Sequence, residues 1–483
     1  MSDADDRGSH GGRDWRTRAA TILDGFSLLF AVLLLSTAVF GGMRLYLGSV
    51  RLSVTSPLRV TAVLAALLIA RHLLLRRPSA VERLAAAVNT LKGAAREPAA
   101  RAVTPIWIAS RLGVLLVALA AVATIEPPVP QAPIAVSSNP IVALAARWDT
   151  GWYLAVATEG YHWDRNWRGQ QNVAFFPALP LMMRAGGALL GSRTNAAIST
   201  PERLDRLRTR TLAAGWILAL GASYAALCAL YSWASALAGR RVAGAAVALL
   251  SAYPFAIYYS AVYTEPFFLL GVIAAFNAMR VRSAAAAGVW GLFAGLVRPN
   301  GFLVSLPLLV LALQQRPFNW RLCLSAMAPV AGMLMFSGYL MSLTGRPLVW
   351  MEAHAAWGRT ALTWQSAVAR PLEQVTTEGP LMFALAAPYL VLNGAALLFA
   401  LGFLPLVWRR LGPAPALLVV VTVVPPLFAG GLMSMGRLTA TLFPIFVALA
   451  AAIPRRHLWA WLLLLALGQG LAAALFFTWR PLV

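Results

Sequence analysis

Long apolar runs separated by short, mostly basic turns make up nearly all of this chain. Runs of about 20 apolar residues are long enough to cross a bilayer as helices, and the short alternating strands of a membrane β-barrel are absent from the pattern. We therefore predict an all-α polytopic membrane protein with about thirteen transmembrane helices. They lie near residues 26–47, 58–75, 105–125, 212–238, 243–263, 267–279, 302–313 and 322–343, with a short helix before Arg298 and four more spans towards the C-terminus.

Composition supports the membrane class and argues against a nucleic-acid partner. Hydrophobic residues are 60% of the chain, 12% are charged, and the mean hydropathy is +0.71, whereas a soluble domain carries roughly 25% charged residues. The net charge of +23 comes mostly from arginines in short turns between apolar runs. That distribution is typical of cytoplasmic loops, and no known nucleic-acid-binding motif accompanies it. It predicts a protein of the cell membrane with a cytoplasmic N-terminus.

The distribution of charge divides the chain into three parts. Residues 1–20 are polar and predict a disordered cytoplasmic tail. Residues 21–100 predict two extra transmembrane helices and a basic cytoplasmic linker. Residues 101–483 form the main membrane domain, with large outer loops at about 126–210 and 344–379.

The first outer loop conflicts with the positive-inside rule at its end. Five arginines between residues 193 and 210 would lie outside, whereas basic residues favour the cytoplasm. An interfacial helix at 175–190 keeps the topology, and a transmembrane helix there is the alternative. The second outer loop is rich in tryptophan, at positions 350, 357 and 364. Because aromatic rings stack on sugar faces, it is a candidate acceptor surface.

The first outer loop also contains an acid flanked by aromatic residues. It reads Arg-Trp-Asp-Thr-Gly-Trp-Tyr from Arg147 to Tyr153, then continues through Gly160-Tyr161 to Phe-Phe-Pro-Ala-Leu-Pro at 175–180. Removing a charge from water is costly, so an acid at a membrane boundary is more often functional than incidental. Asp149 is therefore the first candidate for chemistry, with a solvated loop acid or a helix cap as the structural alternative.

Three later segments place charged residues at predicted helix ends. Glu265 lies in Tyr-Thr-Glu-Pro between two apolar stretches, Arg298 precedes Pro-Asn-Gly, and Arg437 lies in Gly-Arg-Leu. The predicted topology puts all three on the outer side, with Asp149. Each also has a structural explanation: the helix dipole favours an acid at a helix start, and an arginine at a membrane boundary pairs with headgroups.

Taken in order, these motifs resemble those of the PIG-V family, the mannosyltransferases that add a mannose during GPI-anchor assembly, together with their bacterial relatives. The resemblance covers about residues 107–453, and Pro299 stands where the family has serine. It implies a GT-C architecture, an active site on the outer face, and a polyprenyl- or dolichyl-phosphate sugar donor. Five segments carry it: the aromatic loop at 148–180, Tyr-Pro-Phe at 253–255, Ser-Ala-Val-Tyr-Thr-Glu at 260–265, Leu-Val-Arg-Pro-Asn-Gly at 296–301, and Gly-Arg-Leu with Phe-Pro at 436–444.

The resemblance implies roles for individual residues. Asp149 and Glu265 are the catalytic candidates, with Asp149 as the general base that takes the proton of an acceptor hydroxyl. Arg298 and Arg437 are expected to bind the donor phosphate. No His, Asp or Glu cluster has metal-ligand spacing, so neither a metal nor another cofactor is expected, with one weakly held divalent ion as the alternative. The substrate-binding candidates are Trp148, Trp152, Tyr153, Tyr161, Tyr263 and Asn300.

The predicted reaction moves a mannose from a polyprenyl-phosphate donor to an acceptor hydroxyl on the outer face of the membrane. The acceptor is a glycan, a glycolipid or a protein. A single carboxylate base implies direct displacement with inversion, and Glu265 as the nucleophile of a retaining reaction is the alternative. The rival function is a lipid or sugar transporter or flippase without transferase activity, which should carry ionisable residues in broken helices near mid-membrane. The acids here lie at helix ends and in long loops, which favours an enzyme.

Overall fold

The computed structural model describes most of the chain between residues 43 and 482. The described ranges are 43–47, 50–54, 57–74, 97–125, 136–166, 169–192, 200–359, 362–363 and 365–482, with 15, 19–20, 22–27, 30–31 and 34 near the N-terminus. Most of the predicted tail at 1–20, the linker at 75–96, residues 193–199 and position 364 therefore lie outside the described residues.

Within these ranges the regular secondary structure is helical apart from one hairpin, so the all-α class is confirmed. The first half contains α1 (Pro57–Leu74), α2 (Pro98–Thr124), α3 (Pro140–Leu144), α4 (Thr150–Glu159), α5 (Ala178–Leu189), α6 (Pro201–Ala252), α7 (Glu265–Arg280), α8 (Ala284–Val297), α9 (Ser305–Gln314), α10 (Trp320–Ala326) and α11 (Ala328–Thr344). The second half contains α12 (Val349–Ala353), α13 (Arg370–Glu378), α14 (Pro380–Ala386), α15 (Pro388–Leu411), α16 (Pro413–Gly430), α17 (Met435–Thr439), α18 (Phe443–Ala452) and α19 (Arg455–Phe477). Short 3-10 helical turns at Asn172–Ala174, Pro254–Ser260, Pro299–Val304 and His354–Trp357 and a π-helical turn at Gln365–Ala369 connect them.

Several of these helices are long and apolar enough to cross a membrane, which makes the chain a multi-pass membrane protein. In the described part of the chain there are six such helices, or seven if one bent pair is counted as a span. The number of about thirteen remains a prediction. The six, with α6 counted once and α10 and α11 taken together, are Pro98–Thr124, Pro201–Ala252, Trp320–Thr344, Pro388–Leu411, Pro413–Gly430 and Arg455–Phe477. Shorter apolar helices lie at Ala284–Val297, Pro299–Gln314 (a turn followed by α9) and Phe443–Ala452.

The predicted first helix, at 26–47, is wrong at its C-terminal end. Residues Met43–Leu47 form strand β1, which pairs antiparallel with β2 (Val50–Val54), Met43 facing Val54. The reason is visible in the sequence, because apolar and polar residues alternate from position 43 to 54 around a central Gly-Ser. A two-residue period around such a pair indicates a hairpin rather than a helix.

Helix α6 is a hairpin of two helices, as the sequence predicted. Gly239 has φ +83° and ψ +163°, a left-handed conformation that interrupts the helix just before Arg240 and Arg241. The Trp216 indole N–H donates to the Ser260 carbonyl at 2.9 Å. A straight helix from Trp216 to Gly239 is about 35 Å long, so this contact requires the chain to reverse at Gly239. Helices α2, α5, α7 and α18 pack against α6.

A sharp bend follows this hairpin and carries the Tyr-Thr-Glu segment. The turn Pro254–Ser260 and helix α7 are bent by 100° relative to each other. The Val262 N–H donates to the Ala145 carbonyl at 3.0 Å, and the Thr150 hydroxyl donates to the Val262 carbonyl at 3.1 Å. Non-helical backbone inside apolar protein must satisfy its polar groups. Here these bonds join the bend to the loop that contains Asp149.

Glycines bring α8 and α11 into close contact and so position the C-terminal part of α8. An added Cβ at Gly332 would lie 2.6 Å from the Leu292 carbonyl oxygen, and one at Gly295 would overlap the Pro329 carbonyl. Small residues allow membrane helices to approach backbone to backbone. The close pairing holds the C-terminus of α8 against the core, where Arg298 follows as the next residue.

Candidate functional site

Four charged side chains from distant parts of the chain meet in one cluster, called here the ionic cluster: Asp149, Glu265, Arg298 and Arg437. Arg437 Nε donates to Glu265 Oε1 at 2.7 Å, and its Nη1 donates to Asp149 Oδ2. Arg298 Nη2 lies 3.6 Å from Glu265 Oε1. The structure therefore brings together both carboxylates and both arginines that the sequence singled out.

The two carboxylates lie at the N-termini of helices. Asp149 is the N-cap of α4, and Glu265 is the first residue of α7. The N-terminus of a helix carries a partial positive charge, which attracts a negatively charged group placed there. The backbone is unusual at Trp148, directly before Asp149, and at Ser434, three residues before Arg437: their φ values of +50° and +60° lie in the left-handed region. Non-glycine residues adopt this region at a cost, and such residues cluster at functional sites.

Two tyrosines flank the guanidinium of Arg437. Its central carbon lies 4.7 Å from the ring centre of Tyr263 and 5.5 Å from that of Tyr258, which is cation–π geometry. The Tyr263 hydroxyl donates to the Arg147 carbonyl at 3.1 Å and accepts from the Asp149 N–H at 3.2 Å. Tyr263 therefore links the two acidic segments and fixes the backbone of Asp149.

The ionic cluster is closed on the side of Glu265 and open on the side of Asp149. The side chains of Glu265, Arg298 and Arg437 are 0%, 7% and 8% exposed, whereas that of Asp149 is 22% exposed. Asp149 Oδ2 is bonded to Arg437, and no described residue donates a hydrogen bond to Oδ1. One oxygen of this carboxylate is thus fixed and the other is available to an incoming group.

Two buried polar atoms of the cluster lack a protein partner. Glu265 Oε2 and Arg298 Nη1 are both buried and without a hydrogen bond in the described part of the chain. Buried polar groups are almost always paired with protein or water, because leaving one unpaired costs about 1–3 kcal/mol. An unpaired buried acceptor and an unpaired buried donor on two residues of the same ion pair indicate a place where a polar ligand or water binds.

Aromatic residues form a wall beside Asp149. Trp152 stacks on Phe175 at 5.7 Å, and Trp357 packs edge-on against both rings at 5.6 and 5.7 Å. Tyr153 packs on Phe175 and Tyr263 at 5.2 and 6.4 Å. Burial raises the pKa of Tyr153 to about 12, so its hydroxyl remains a hydrogen-bond donor at neutral pH.

The contacts of the remaining predicted substrate-binding residues are made outside the ionic cluster. The Tyr161 hydroxyl donates to the Phe175 carbonyl at 2.7 Å, and its ring packs on Phe336 and Tyr339. Asn300 is half-buried in the turn after Arg298, and its side chain forms no hydrogen bond with the described residues. Trp148 packs on Trp479 with ring centres 5.6 Å apart.

Two supporting residues were missed by the sequence analysis. Arg111 is buried in the middle of α2, and its guanidinium donates to the Ala256 carbonyl at 2.7 Å and to the Ser260 hydroxyl at 2.8 Å. Asn393 accepts from the Gly436 N–H at 2.7 Å. Both fix backbone that leads into the ionic cluster. An arginine inside an apolar span is itself a functional signal, so Arg111 could have been found from the sequence.

Metal ligands do not cluster in the described part of the chain. No group of three or more His, Cys, Asp or Glu residues there is arranged to hold a metal ion. The absence of a metal cofactor remains a prediction, and the arginines provide the positive charge of this site.

Gly436, next to Arg437, offers a test of how tightly this site is packed. A Cβ at Gly436 would overlap the ring of Phe255, which is itself buried between neighbouring helices. We expect Gly436→Ala to lower the free energy of unfolding by about 1–3 kcal/mol, because overpacking shifts the surrounding groups. Thermal unfolding of the detergent-solubilised protein measures this.

Gly402 provides the matched control for that substitution. It lies in α15 with no neighbour within 4 Å of an added Cβ. Gly402→Ala is expected to leave stability unchanged or raise it by up to about 1 kcal/mol, the helix-propensity difference. Equal unfolding temperatures for the two variants would contradict the tight packing at Gly436.

Comparison with known proteins gives the family of the chain. No curated protein matches it. A family model described as Mannosyltransferase (PIG-V) matches residues 115–361. Asp149, Glu265 and Arg298 lie inside these residues, and Arg437 lies outside them. The match spans just over half of the 483 residues, and the chain therefore belongs to the PIG-V mannosyltransferase family.

Proposed function

We propose that this membrane mannosyltransferase takes its mannose from a polyprenyl-phosphate donor and transfers it to an acceptor hydroxyl at the outer face of the cell membrane. The proposal includes a GT-C type architecture and a cytoplasmic N-terminus, as the positive-inside pattern favours. The observation that carries it is the ionic cluster, in which the Asp149 carboxylate is partly exposed and has only one of its two oxygens bound by an arginine.

Asp149 has the geometry of a general base in this reaction. Its Oδ2 is fixed by Arg437, while Oδ1 has no donor among the described residues, and the side chain as a whole is partly exposed. Asp149 Oδ1 would take the proton of the acceptor hydroxyl as that oxygen attacks the anomeric carbon. A positioned base contributes typically about 10²–10⁴-fold to the rate.

Arg298 is the better placed of the two arginines for the donor phosphate. Its Nη1 is buried and unpaired, and a phosphate oxygen would satisfy it. Arg437 already binds both carboxylates, so its main role here is to fix Asp149 and to share the phosphate through the remaining side of its guanidinium. The bond from the anomeric carbon to the phosphate oxygen breaks, and the electron pair stays on the lipid phosphate.

Burial of Glu265 favours direct displacement over a covalent intermediate. Its side chain is fully buried, and Oε1 is bound by Arg437. A nucleophile must reach the anomeric carbon, and a closed-off carboxylate does so poorly. We therefore propose that Glu265 positions Arg298 and Arg437, and that its unpaired Oε2 accepts a hydrogen bond from a substrate hydroxyl.

A transporter or flippase remains the second candidate, because one observation favours it. Glu265 is buried beside a 100° bend between two apolar helical segments. Broken helices with buried ionisable residues are also typical of secondary transporters. A flippase would move the lipid donor across the membrane and form no new glycosidic bond.

A transfer assay with purified protein separates these two functions. The protein in lipid nanodiscs is incubated with radiolabelled polyprenyl-phosphate-mannose and a membrane extract, with GDP-mannose as the alternative donor. We expect a labelled product from the lipid donor, no product from GDP-mannose, and unchanged transfer with a chelator present. Donor movement in proteoliposomes without any labelled product would favour the flippase instead.

A further inference from the structure

Arg359 lies on a segment that joins the two halves of the site. It follows the turn His354–Trp357 and the left-handed Gly358, and its N–H donates to the His354 carbonyl at 3.2 Å. Two residues earlier, Trp357 packs on Trp152, which lies on the helix that begins after Asp149. This segment therefore reaches the aromatic wall beside the ionic cluster.

The other side of the segment is attached to the chain that leads to Arg437. The Leu362 N–H donates to the Phe428 carbonyl at 2.7 Å. The stem of Arg359 packs on Gly430, where an added Cβ would lie 3.0 Å from Arg359 Cγ and 3.6 Å from its Nη1. Gly430 ends α16, and Arg437 follows seven residues later on α17. Arg359 is thus held between the segments that carry Asp149 and Arg437.

Unlike the arginines of the ionic cluster, Arg359 has no carboxylate partner in the described part of the chain. Arg298 and Arg437 each pair with Glu265, and no ion pair or side-chain hydrogen bond involves the guanidinium of Arg359. Its neighbours on either side, Trp357 against Trp152 and Gly430 against its own stem, bring Arg359 towards the cluster, and the electrostatic influence of Asp149, Arg437 and Arg298 on its guanidinium agrees with that position. Burial and the repulsion from Arg437 lower the pKa of Arg359 to about 10, so it remains charged at neutral pH.

The charge balance of the site indicates what the unpaired charge of Arg359 contributes. Two carboxylates and two guanidinium groups make the ionic cluster neutral overall, so it brings no net positive charge to a phosphate. A phosphodiester donor carries one negative charge, and further charge develops on the phosphate as its bond to the sugar breaks. Fixed positive charge directed at a developing negative charge is a major source of catalysis.

We infer that Arg359 is a third phosphate-binding arginine, which binds the phosphate of the lipid-linked donor and stabilises the negative charge that develops when the lipid phosphate leaves. This assignment rests on the proposed function. It adds a cation from the segment 344–379, which the sequence analysis predicted only as an acceptor surface. It also agrees with the glycine at position 430, where a Cβ would press against the stem of Arg359.

Binding of polyprenyl phosphate to the full-length protein in nanodiscs tests the assignment. The variants are Arg359→Gln and Arg359→Lys, and uncharged polyprenol of equal length is the comparison ligand. We expect Arg359→Gln to bind polyprenyl phosphate at least about tenfold more weakly, the equivalent of one charge-assisted hydrogen bond. Arg359→Lys should recover most of the affinity, and binding of polyprenol should not change in either variant.

Arg346→Gln is the matched control, because Arg346 lies on the same segment and pairs with Glu352 at 3.0 Å. It should bind polyprenyl phosphate like the wild type. Wild-type affinity in Arg359→Gln, or an equal loss of affinity for polyprenyl phosphate and polyprenol, would overturn the role of Arg359. The proposed function would still stand in that case, provided that the wild-type protein transfers mannose. A wild type that neither transfers mannose from the lipid donor nor binds polyprenyl phosphate would remove both.

Discussion

Asp149→Asn is expected to lower the turnover of mannose transfer at least about 10²-fold, while donor binding changes little. The asparagine side chain keeps the shape of the aspartate and can still accept a hydrogen bond from Arg437, but it cannot take a proton from the acceptor hydroxyl. Because Asp149 is partly exposed, the substitution should leave the fold intact. Turnover and donor affinity of the purified variant, measured separately, give the result.

Asp205→Asn is the control for this experiment. Asp205 is another aspartate near a helix start, and its carboxylate accepts from the Ser138 N–H at 2.7 Å and from the Ser138 hydroxyl at 2.6 Å. It has no contact with the ionic cluster, so wild-type turnover is expected. Wild-type turnover in Asp149→Asn as well would end the assignment of Asp149 as the base.

Arg437→Gln is expected to cost about 3–5 kcal/mol of stability, the penalty for leaving a buried charge without its partner. Arg437 neutralises the fully buried Glu265 and fixes Asp149. Without it, Arg298 at 3.6 Å is the remaining cation beside Glu265. Thermal unfolding in detergent should show a large decrease in unfolding temperature.

A double-mutant cycle separates this charge effect from a simple loss of packing. Glu265→Gln combined with Arg437→Gln leaves no unpaired buried carboxylate at position 265, so the double variant should be more stable than the sum of the single losses indicates. The surface pair of Arg346 and Glu352 is the reference, and Arg346→Gln should cost only about 0–1 kcal/mol. Strictly additive losses at 265 and 437 would contradict a coupled buried ion pair.

The main features of the site could be predicted from the sequence because charge is scarce in an apolar chain. Asp149, Glu265, Arg298 and Arg437 each interrupt apolar segments, and the structure places all four in one cluster. The reversal before Arg240 could also be predicted, because basic turns separate apolar runs. In each case a local pattern carried the information.

The remaining features depend on long-range geometry. Nothing near Arg437 in the sequence shows that one guanidinium binds two carboxylates, or that Arg298 keeps an unpaired Nη1. The position of Arg359 depends on packing against Gly430, and the sequence around Arg359 looks like that of an ordinary loop. The hairpin of β1 and β2 does not depend on long-range geometry. Its two-residue alternation is present in the sequence, and the predicted helix at 26–47 is wrong there because it follows the length of the apolar run instead.

In the proposed mechanism the acceptor oxygen, activated by Asp149, displaces the lipid phosphate directly. The configuration of the product at the anomeric carbon tests this most directly, since one displacement inverts that centre and a double displacement through a covalent intermediate retains it. NMR of the product formed from a β-linked polyprenyl-phosphate-mannose gives the answer. Direct displacement should give an α-mannoside, and a β-mannoside would show that the configuration is retained and rule out this mechanism.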